Sequence, residues 1–382
     1  MNKRLDIVVI GLTLSSSWGN GHATTYRGLL RGLFALGHEI LFLERDVEWY
    51  RSHRDLADPD FCDLVYYASV DELIARHAKR IERADAVIVG SYVPEGVTVI
   101  DRVAARKPRQ LLFYDIDTPV TLAKLRAGQV EYLAHRQIPL FDDYLSFTGG
   151  PTLRRLETEF GARRADELYC SVDADHYRPT GEAPKWDLGY LGTYSPDRQP
   201  ALEKLLLEPA RRLPEMRFVV AGPQFPPGIA WPKNVERIDH LPPGEHPGFY
   251  GRQRFTLNIT RADMVAAGWS PSVRLFEAAA CATPIISDEW DGLDQLLPEG
   301  EALLVARSSQ DVVTALTGIG QARSLEIGAA ARARILASHT GLARARQLTD
   351  IIADLPERMP RKAGRRRTRK RERIMEEGAI GR

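Results

Sequence analysis

The sequence predicts an α/β protein with two doubly wound, Rossmann-like domains that face a central cleft. Three observations lead to this prediction. The chain has 382 residues, a length that corresponds to two domains. Short apolar runs rich in β-branched residues alternate with amphipathic helical patterns, as in parallel sheets covered by helices. The alternation stops in a polar, proline-containing stretch near residue 180 and then begins again.

The first half of the chain opens with a strand and a helix. Ile7–Ile10 is a run of β-branched residues, as expected for a buried parallel strand. Apolar residues from Tyr26 to Phe34 recur at helical spacing, and Gly37 ends this helix. Further strands are expected at Glu39–Leu43, Ala86–Val89, Gln110–Tyr114 and Tyr144–Phe147. These elements form an N-terminal domain over residues 1–173.

The second half has the same architecture without a repeated sequence. Residues 174–187 are polar and contain two prolines, so we interpret them as a linker. Residues 188–355 form the second domain, with its clearest helix over 272–281. Its strands are expected at Leu188–Leu191, Phe218–Val220, Val235–Ile238, Thr256–Ile259 and Pro284–Ser287. Such domains bind ligands where the carboxyl ends of their strands face each other.

Charge, cysteine content and hydropathy restrict the function classes. Lys and Arg (52) balance Asp and Glu (51), so the overall charge indicates no polyanionic partner. Residues 356–382 are the exception: this basic tail is expected to be disordered and to contact anionic lipid or nucleic acid at most weakly. Three isolated cysteines favour a cytoplasmic protein, and no apolar run is long enough for a transmembrane segment.

Common catalytic motifs are absent from the sequence. There is no GxxxxGK[ST], HExxH or GxSxG pattern, and no two histidines are spaced i, i+4. We therefore expect neither a metal site nor a cofactor. The loop with Gly19 and Gly21 has two of the three glycines of a dinucleotide fingerprint. A dinucleotide-dependent oxidoreductase is thus an alternative, and a simple turn is equally consistent with these glycines.

The loop after the first strand of the second domain suits a diphosphate. Arg198 opens a helix, and a guanidinium beside backbone N–H groups is a common phosphate site. The loop residues before it are Gly192, Thr193 and Tyr194. A helix start with a solvated arginine explains the same residues. The next strand ends in Gly222 and Pro223, which lets a flat base approach the backbone.

The best-defined helix of the second domain adds a cation and a carboxylate. Ser270 or Ser272 is expected to cap this helix, and Val273 follows in the same motif. Arg274 and Glu277 are spaced i, i+3, so one helix face can offer a cation to phosphate and a carboxylate to ribose hydroxyls. The alternative is an ordinary ion pair within the helix.

In combination these motifs resemble the GT-B glycosyltransferases, more narrowly the CgeB-like branch related to the GT4 (group 1) family. The most specific matching block is RLFEAAACATPII, which begins at Arg274, and CSVDADHYRP over Cys170–Pro179 resembles the segment before the linker. The resemblance implies that the C-terminal domain binds a nucleoside-diphosphate sugar as the donor substrate and that the N-terminal domain binds the acceptor. Glu277 would hold the ribose, while Arg198 and Arg274 would stabilise the departing diphosphate without a metal.

The N-terminal domain carries three candidate catalytic residues. Asp115 and Asp117 follow a predicted strand and are expected to face the cleft, where one orients the acceptor or acts as a base. An Asp-Thr-Pro helix cap is the alternative. His22 follows the glycine loop and is expected either to touch the sugar or acceptor or to brace the loop. Trp269 stands where these enzymes carry a second glutamate, so the transferred sugar and the stereochemical outcome are left open.

The leading interpretation is a metal-independent glycosyltransferase that uses a UDP- or dTDP-sugar and an acceptor that the sequence does not identify. Pyrimidine nucleotides are favoured because neither half shows an aromatic slot of purine size. A non-catalytic coat or surface-assembly protein with the same fold, or a GT-B-fold epimerase, are the alternatives. Arg198, Arg274 and Glu277 together favour the enzyme, because a structural relic has no need of a diphosphate site.

Overall fold

The computed structural model describes residues 3–18 and 21–356 and contains two parallel sheets, each with helices on both faces. The strands of the first domain are β1 Asp6–Gly11, β2 Glu39–Arg45, β3 Asp63–Tyr67, β4 Ala86–Gly90, β5 Leu111–Asp115, β6 Asp143–Ser146 and β7 Ala165–Glu167. Its helices are α1 His22–Ala35, α2 Glu48–Arg51, α3 Val70–Arg83, α4 Gly96–Ala104, α5 Thr118–Arg126, a 3-10 helix at His135–Leu140 and α6 Pro151–Thr158. The spatial order β3-β2-β1-β4-β5-β6-β7 is doubly wound and reverses between β1 and β4.

The second domain has the same winding. Its strands are β8 Trp186–Leu191, β9 Phe218–Ala221, β10 Val235–Ile238, β11 Gln253–Asn258, β12 Ile285–Ser287 and β13 Leu304–Val305, in the order β10-β9-β8-β11-β12-β13. The helices are α7 Gln199–Leu202, a π-helical turn at Glu203–Leu207, α8 Glu208–Arg212, a 3-10 helix at Pro243–Glu245, α9 His246–Gly251, α10 Ala262–Ala267, α11 Val273–Ala280, α12 Leu293–Leu296, α13 Ser309–Gly318, α14 Gln321–Ser338 and α15 Gly341–Asp354. The predicted fold class, two facing Rossmann-like domains, is confirmed.

Both faces of each sheet are buried, which explains the continuous apolar runs in the sequence. In β1, Val8 and Ile10 pack into one helix layer, whereas Ile7 and Val9 pack into the layer on the other face. The second sheet divides in the same way: in β9 the side chain of Val219 enters one core cluster and its neighbours enter the other. Successive side chains of a strand point to opposite faces, so a strand covered on both sides must be apolar throughout.

Three edge strands were missed by the sequence analysis. β3 and β7 lie at the two edges of the first sheet, and β13 lies at one edge of the second. They are two to five residues long, and most of their side chains are half-buried or exposed. An edge strand pairs on one side only and needs no continuous apolar run, so its signal in the sequence is weak. β8 begins at Trp186, two residues before the predicted Leu188.

Helix α15 returns to the first domain although it comes last in the described chain. Its apolar face packs with Leu30 and Leu33 of α1 in one core cluster. The two helices approach closely because a Cβ at Gly341 would lie 2.1 Å from the carbonyl oxygen of Gly28, and a Cβ at Gly32 would lie 2.2 Å from the carbonyl oxygen of Gly341. The chain therefore crosses between the domains twice, and α15 buries part of the first domain.

Two sequence predictions concern residues that the structure does not describe. Gly19 lies in the gap at 19–20, and the basic tail lies beyond Pro356. The expectations for that glycine and for the tail stay predictions. Among the described residues, no helix combines the length and the hydropathy needed to cross a membrane.

The close contact of α1 and α15 makes a stability prediction. Gly341→Ala is expected to lower the free energy of unfolding by about 1–3 kcal/mol, because its methyl group would meet a backbone atom that cannot move aside. Gly318→Ala is the matched control: it ends α13 with open space around its Cβ position, so its stability is expected to be unchanged or slightly higher. Urea denaturation followed by circular dichroism measures both, and equal midpoints for the two variants would contradict the prediction.

Candidate active site

The two domains enclose a cavity of about 230 Å³ at the carboxyl ends of their strands. Its wall contains six residues singled out in the sequence: Gly21, His22 and Asp117 from the first domain, and Ser270, Ser272 and Val273 from the second. The remaining wall residues are Thr25, Ile116, Pro119, Phe147 and Met264. The loops after β1 and β11, which supply much of this wall, border the points where the winding of each sheet reverses. Doubly wound domains bind ligands at this position.

The first domain presents a carboxyl group beside a neutral imidazole. Tyr92 donates its hydroxyl to Oδ2 of Asp117 over 3.0 Å, and the ring of His22 meets the ring of Tyr92 edge-on at 5.4 Å between centroids. Burial lowers the pKa of His22 to about 4, so its ring is neutral at pH 7. Burial also raises the pKa of Asp117 above its usual value. Among the described residues that line the cavity, Asp117 is the one with a carboxyl group.

Asp115 does not line the cavity, contrary to the expectation that it faces the cleft. Its side chain is fully buried beneath the loop, where Oδ2 accepts from the Tyr144 hydroxyl at 2.6 Å and Oδ1 accepts from the Thr121 hydroxyl at 2.9 Å. The backbone N–H of Asp117 also donates to Oδ1, over 3.2 Å. Burial raises the pKa of Asp115 to about 6. These bonds make Asp115 the support of the loop that carries Asp117.

The predicted serine cap of α11 is not formed. Ser272 occupies the N-cap position, but its hydroxyl donates to Oδ1 of Asn258 over 2.8 Å instead of accepting from the helix. The hydroxyl of Ser270 pairs with that of Thr148 in the first domain, at 2.9 Å. No side chain caps α11, and Val273, the first residue of this helix, lies in the cavity wall.

Trp269 points away from this cavity. Its ring lies between two glycines of opposite domains: a Cβ at Gly150 would lie 2.4 Å from the indole, and a Cβ at Gly292 would lie 2.5 Å from it. The Trp269 carbonyl accepts from the N–H of Gly149 at 2.9 Å, and its Nε1 donates to Gln295 at 2.9 Å. Its φ of 42° is strained for a bulky residue, and these contacts hold it there.

Two arginines of the second domain lie together at the carboxyl edge of the sheet. Arg274 donates from Nη1 to the carbonyl of Leu191 at 3.0 Å, and Arg198 donates from Nη2 to the carbonyl of Thr193 at 2.9 Å. The pKa of Arg198 is lowered because its guanidinium is buried and the Arg274 guanidinium is nearby. Among the described residues, neither arginine has a carboxylate within 4 Å. Asp197 and Glu277 interact electrostatically with Arg198 and Arg274, respectively, but only from beyond salt-bridge distance.

The predicted glycines bring the loops after β8 and β9 into contact with Arg274. A Cβ at Gly222 would lie 2.1 Å from the carbonyl oxygen of Gly192, and a Cβ at Gly192 would lie 2.7 Å from Nη1 of Arg274. The N–H of Tyr194 donates to the carbonyl of Pro223 at 3.0 Å, which joins the two loops. Thr193 is exposed between them. Larger residues at the two glycines would separate the loops from each other and from the guanidinium.

Glu277 lies one helical turn beyond Arg274 and is not part of the cavity wall. Its Oε2 accepts from the hydroxyl of Tyr250 at 3.2 Å and lies 3.9 Å from Nδ1 of His246. Burial raises the pKa of Glu277 to about 7, although Tyr177 and Tyr250 hydrogen bonds oppose the shift. At neutral pH its carboxyl group is thus close to half protonated.

An aromatic cluster at the same sheet edge was missed by the sequence analysis. The rings of Tyr194 and Phe225 meet at 5.5 Å, and those of Phe225 and Trp231 meet at 5.5 Å. The Arg237 guanidinium lies 4.3 Å from the Phe225 ring and donates to the carbonyls of Val220 and Gly222. Phe225, Trp231 and Arg237 are close in the sequence, whereas Tyr194 comes from the preceding loop, so the cluster forms only where these loops meet.

The described residues contain no group of three or more His, Cys, Asp or Glu side chains that could hold a metal ion.

The position of Trp269 makes a prediction about the domain arrangement. Trp269→Ala is expected to lower the free energy of unfolding by about 2–4 kcal/mol and to increase the radius of gyration, because the domains lose the ring that lies between them. Trp49→Ala is the control, since that ring is 60% exposed on the first domain. Urea denaturation and small-angle X-ray scattering measure the two effects. An unchanged radius of gyration would mean that the indole does not fix the domains.

Comparison with protein-family models gives a match over residues 198–350 to the family described as glycosyl transferase-like. The matched range begins at Arg198 and includes Arg274 and Glu277. A D-inositol 3-phosphate glycosyltransferase of Mycobacterium sp. (strain JLS) is 28% identical in a 160-residue alignment that covers 36% of this chain and 34% of that protein. The chain thus spans about a third of the length of the curated relatives that it matches.

Solved structures match nearly the whole chain. The sucrose-phosphate synthase of Thermosynechococcus elongatus aligns with a TM-score of 0.67 and 14% identity, covering 92% of this chain and 99% of that one. HepE of Anabaena, solved with UDP-glucose, aligns with a TM-score of 0.63 and 11% identity over 92% of this chain and 100% of that one. An alpha-glucosyltransferase in complex with UDP aligns with a TM-score of 0.65 and 11% identity, over 91% and 100%. The chain therefore has the GT-B fold of these glycosyltransferases, and its residues 198–350 match the glycosyl transferase-like family.

Proposed function

We propose that the protein is a metal-independent glycosyltransferase that moves a sugar from a UDP- or dTDP-sugar to an acceptor. The observation that carries this proposal is the pair of arginines, Arg198 and Arg274. Their guanidiniums lie near each other, and neither has a carboxylate within 4 Å among the described residues. Like charges at a partly buried site repel, so an anion between them is strongly favoured. A diphosphate supplies oxygens that suit guanidinium geometry.

The neighbouring groups suit the other parts of such a donor. The uncapped first turn of α11 offers N–H groups to phosphate oxygens, as helix N-termini commonly do. The base would lie against the loops of Tyr194 and Gly222, next to the ring of Phe225. Glu277 would accept the ribose hydroxyls, which would stabilise a carboxylate that burial now disfavours. UDP-glucose bound to HepE, which shares this fold, supports a uridine nucleotide.

The chemistry follows from the positions of Arg198 and Arg274 on the second domain and of Asp117 on the first. The bond between the anomeric carbon and the diphosphate oxygen breaks, and its electron pair leaves with the diphosphate. Arg198 and Arg274 stabilise that negative charge, which is the role metal ions have in other sites. The acceptor oxygen bonds to the anomeric carbon and gives its proton to the carboxylate of Asp117, which stands on the opposite domain. His22 is neutral and adds no charge that would oppose this transfer.

The finer assignments stay proposals. The CgeB-like branch rests on the resemblance of the sequence motifs, and thymidine remains an alternative to uridine because the two bases differ by one methyl group. A coat or surface-assembly protein with this fold would have no need to bind a nucleotide. An epimerase would bind the same donor but would return it with altered stereochemistry and without an acceptor. A dinucleotide-dependent oxidoreductase would bind NADH instead.

Titration with nucleotides is the direct test. Calorimetry with UDP, dTDP, GDP, ADP and NADH in the presence of EDTA is expected to give binding of UDP or dTDP alone. Arg274→Ala is expected to weaken that binding about 10- to 100-fold, because a hydrogen bond between charged groups contributes about 1.5–3 kcal/mol.

Arg211→Ala is the matched control, since it removes an exposed guanidinium that pairs with Glu203 on the outside of the domain. Its affinity for UDP is expected to equal that of the unmodified protein. Absence of binding by all five nucleotides would contradict the proposal and favour the coat protein, while NADH binding alone would favour the oxidoreductase.

Nucleotide affinity is also expected to depend on pH through Glu277. Because burial raises the pKa of Glu277 to about 7 and the ribose hydroxyls need the carboxylate, binding must remove a proton at lower pH. The affinity for UDP is therefore expected to fall about tenfold between pH 8 and pH 6, at about 1.4 kcal/mol per pKa unit. Glu277→Gln carries no ionisable group there, so its affinity should vary only with the titration of UDP itself. Parallel pH profiles for the two proteins would exclude Glu277 from the site.

A further inference from the structure

A second cavity, of about 250 Å³, lies on the other side of the segment that leads into α11. Ser270 and Ser272 face the candidate active site, whereas Trp269 and Pro271, which alternate with them, face this second cavity. The other lining residues are Glu167, Tyr169, Trp290, Gly292, Gln295, Leu296 and His339. A water molecule occupies about 30 Å³ in the liquid, so the space suits several waters or one small ring compound.

This hinge cavity touches both places where the chain crosses between the domains. The first crossing follows Tyr169 and the second follows His339, and both residues line the cavity. The crossings pair with each other, since the N–H of Val172 donates to the carbonyl of His339 at 3.0 Å. Glu167 and Tyr169 belong to the first domain, while Trp269 and Trp290 belong to the second. A molecule in this cavity would contact both domains at their hinge.

The wall combines aromatic surface with polar groups that are not fully used. Trp290 is 6% exposed, and its Nε1 is a buried donor for which the described residues provide no acceptor. A buried donor without a partner is costly, and a ligand oxygen would remove that cost. Glu167 accepts the Tyr169 hydroxyl at Oε2 over 3.3 Å, and the amide of Gln295 accepts from Trp269. The cavity thus offers both a donor and acceptors beside flat apolar faces.

The charges around the hinge cavity favour a neutral occupant. Glu167 is the one acidic residue of the lining, and burial lowers the pKa of His339 to about 3, so that ring is neutral at pH 7. The positive charge of Arg344, which is not a lining residue, balances the Glu167 carboxylate. Its guanidinium lies 5.6 Å from the centroid of the Tyr169 ring and interacts electrostatically with Glu167. Because Glu167 and Arg344 balance each other, the cavity has no unpaired charge to attract a cation or an anion. Hydroxyl groups, by contrast, can both donate hydrogen bonds and accept them.

We propose that the hinge cavity binds a small, neutral, hydroxylated ring of the sugar or cyclitol class, and that its occupation strengthens nucleotide binding in the active-site cavity. The second part rests on the proposed donor function. One flat face of such a ring packs on the aromatic side chains, and its oxygens bond to Glu167 and, once the buried indole turns toward the cavity, to Nε1 of Trp290. A ligand that contacts both domains favours their closed arrangement, and any such coupling between two sites is reciprocal.

Saturation-transfer NMR with myo-inositol and with glucose, in separate samples without nucleotide, tests the site itself. At least one probe is expected to show saturation transfer from the unmodified protein. Trp290→Phe keeps an aromatic ring but removes Nε1–H, and Glu167→Gln removes the charge, so each is expected to weaken binding at least fivefold. Trp49→Phe, the matched control on an exposed ring, is expected to bind as the unmodified protein does.

Calorimetry tests the coupling. A saturating concentration of the bound probe is expected to tighten UDP binding about fivefold, and UDP should tighten binding of the probe by the same factor. In Trp290→Phe, the affinity for UDP is expected to be about the same with and without the probe, so that their ratio falls to about one. Circular dichroism and thermal unfolding establish that each variant is folded before its binding is compared.

The outcomes separate this proposal from the proposed function. Lack of binding by both probes, or binding that is equal in the unmodified protein, Trp290→Phe and Glu167→Gln, would overturn the hinge site. Probe binding that is lost in Arg274→Ala instead would assign the probe to the donor site and would also overturn it. If the probe binds through Trp290 but no nucleotide binds, the hinge site stands and the donor function fails. Equal UDP affinity with and without a bound probe would overturn the coupling alone.

Discussion

The arrangement of the two domains depends on the short segment that leads into α11. Its backbone and side chains bond to the first domain at Gly149 and Thr148, and the ring of Trp269 fills the space between Gly150 and Gly292. Any side chain at either glycine would collide with the indole, so the contact requires both. Alternate residues of this segment face the two interdomain cavities. The geometry of both cavities is therefore fixed by one stretch of backbone in which Trp269 is held at a strained φ.

Burial gives the candidate active site its electrostatic character. Two guanidiniums lie on the second domain with no described carboxylate within 4 Å, whereas the first domain presents Asp117 and a neutral His22. In a site with little water, these opposite charges act more strongly on a bound molecule than they would at the surface. Negative charge is favoured beside the two arginines, which are not among the residues of the cavity wall, and Asp117 in that wall can accept a proton. Such an arrangement suits a reaction that separates an anionic leaving group from a nucleophile.

The two halves of the chain are related to known proteins to different degrees. The family match covers residues 198–350, which hold Arg198, Arg274 and Glu277, whereas the first domain is matched by solved structures of low sequence identity. Fold similarity at that level says little about what a site binds. Under the proposed function, the acceptor must therefore be inferred from this chain's own residues, of which Asp117 and His22 are the candidates. The exposed rings of Trp18 and Trp49 lie on the same domain.

The sequence alone determined the winding of both sheets, because strands buried on both faces must be continuously apolar and the helices between them must be amphipathic. It also predicted Arg198, Arg274 and the glycines beside them as donor-binding residues, since these lie in short motifs that end strands or open helices. It missed the edge strands β3, β7 and β13, which pair on one side and carry few apolar residues. Only the tertiary structure decided that Asp115 supports a loop and that Trp269 turns to the hinge. The packing of α15 on the first domain and the orphaned Nε1 of Trp290 were decided there too, because each depends on residues distant in the chain.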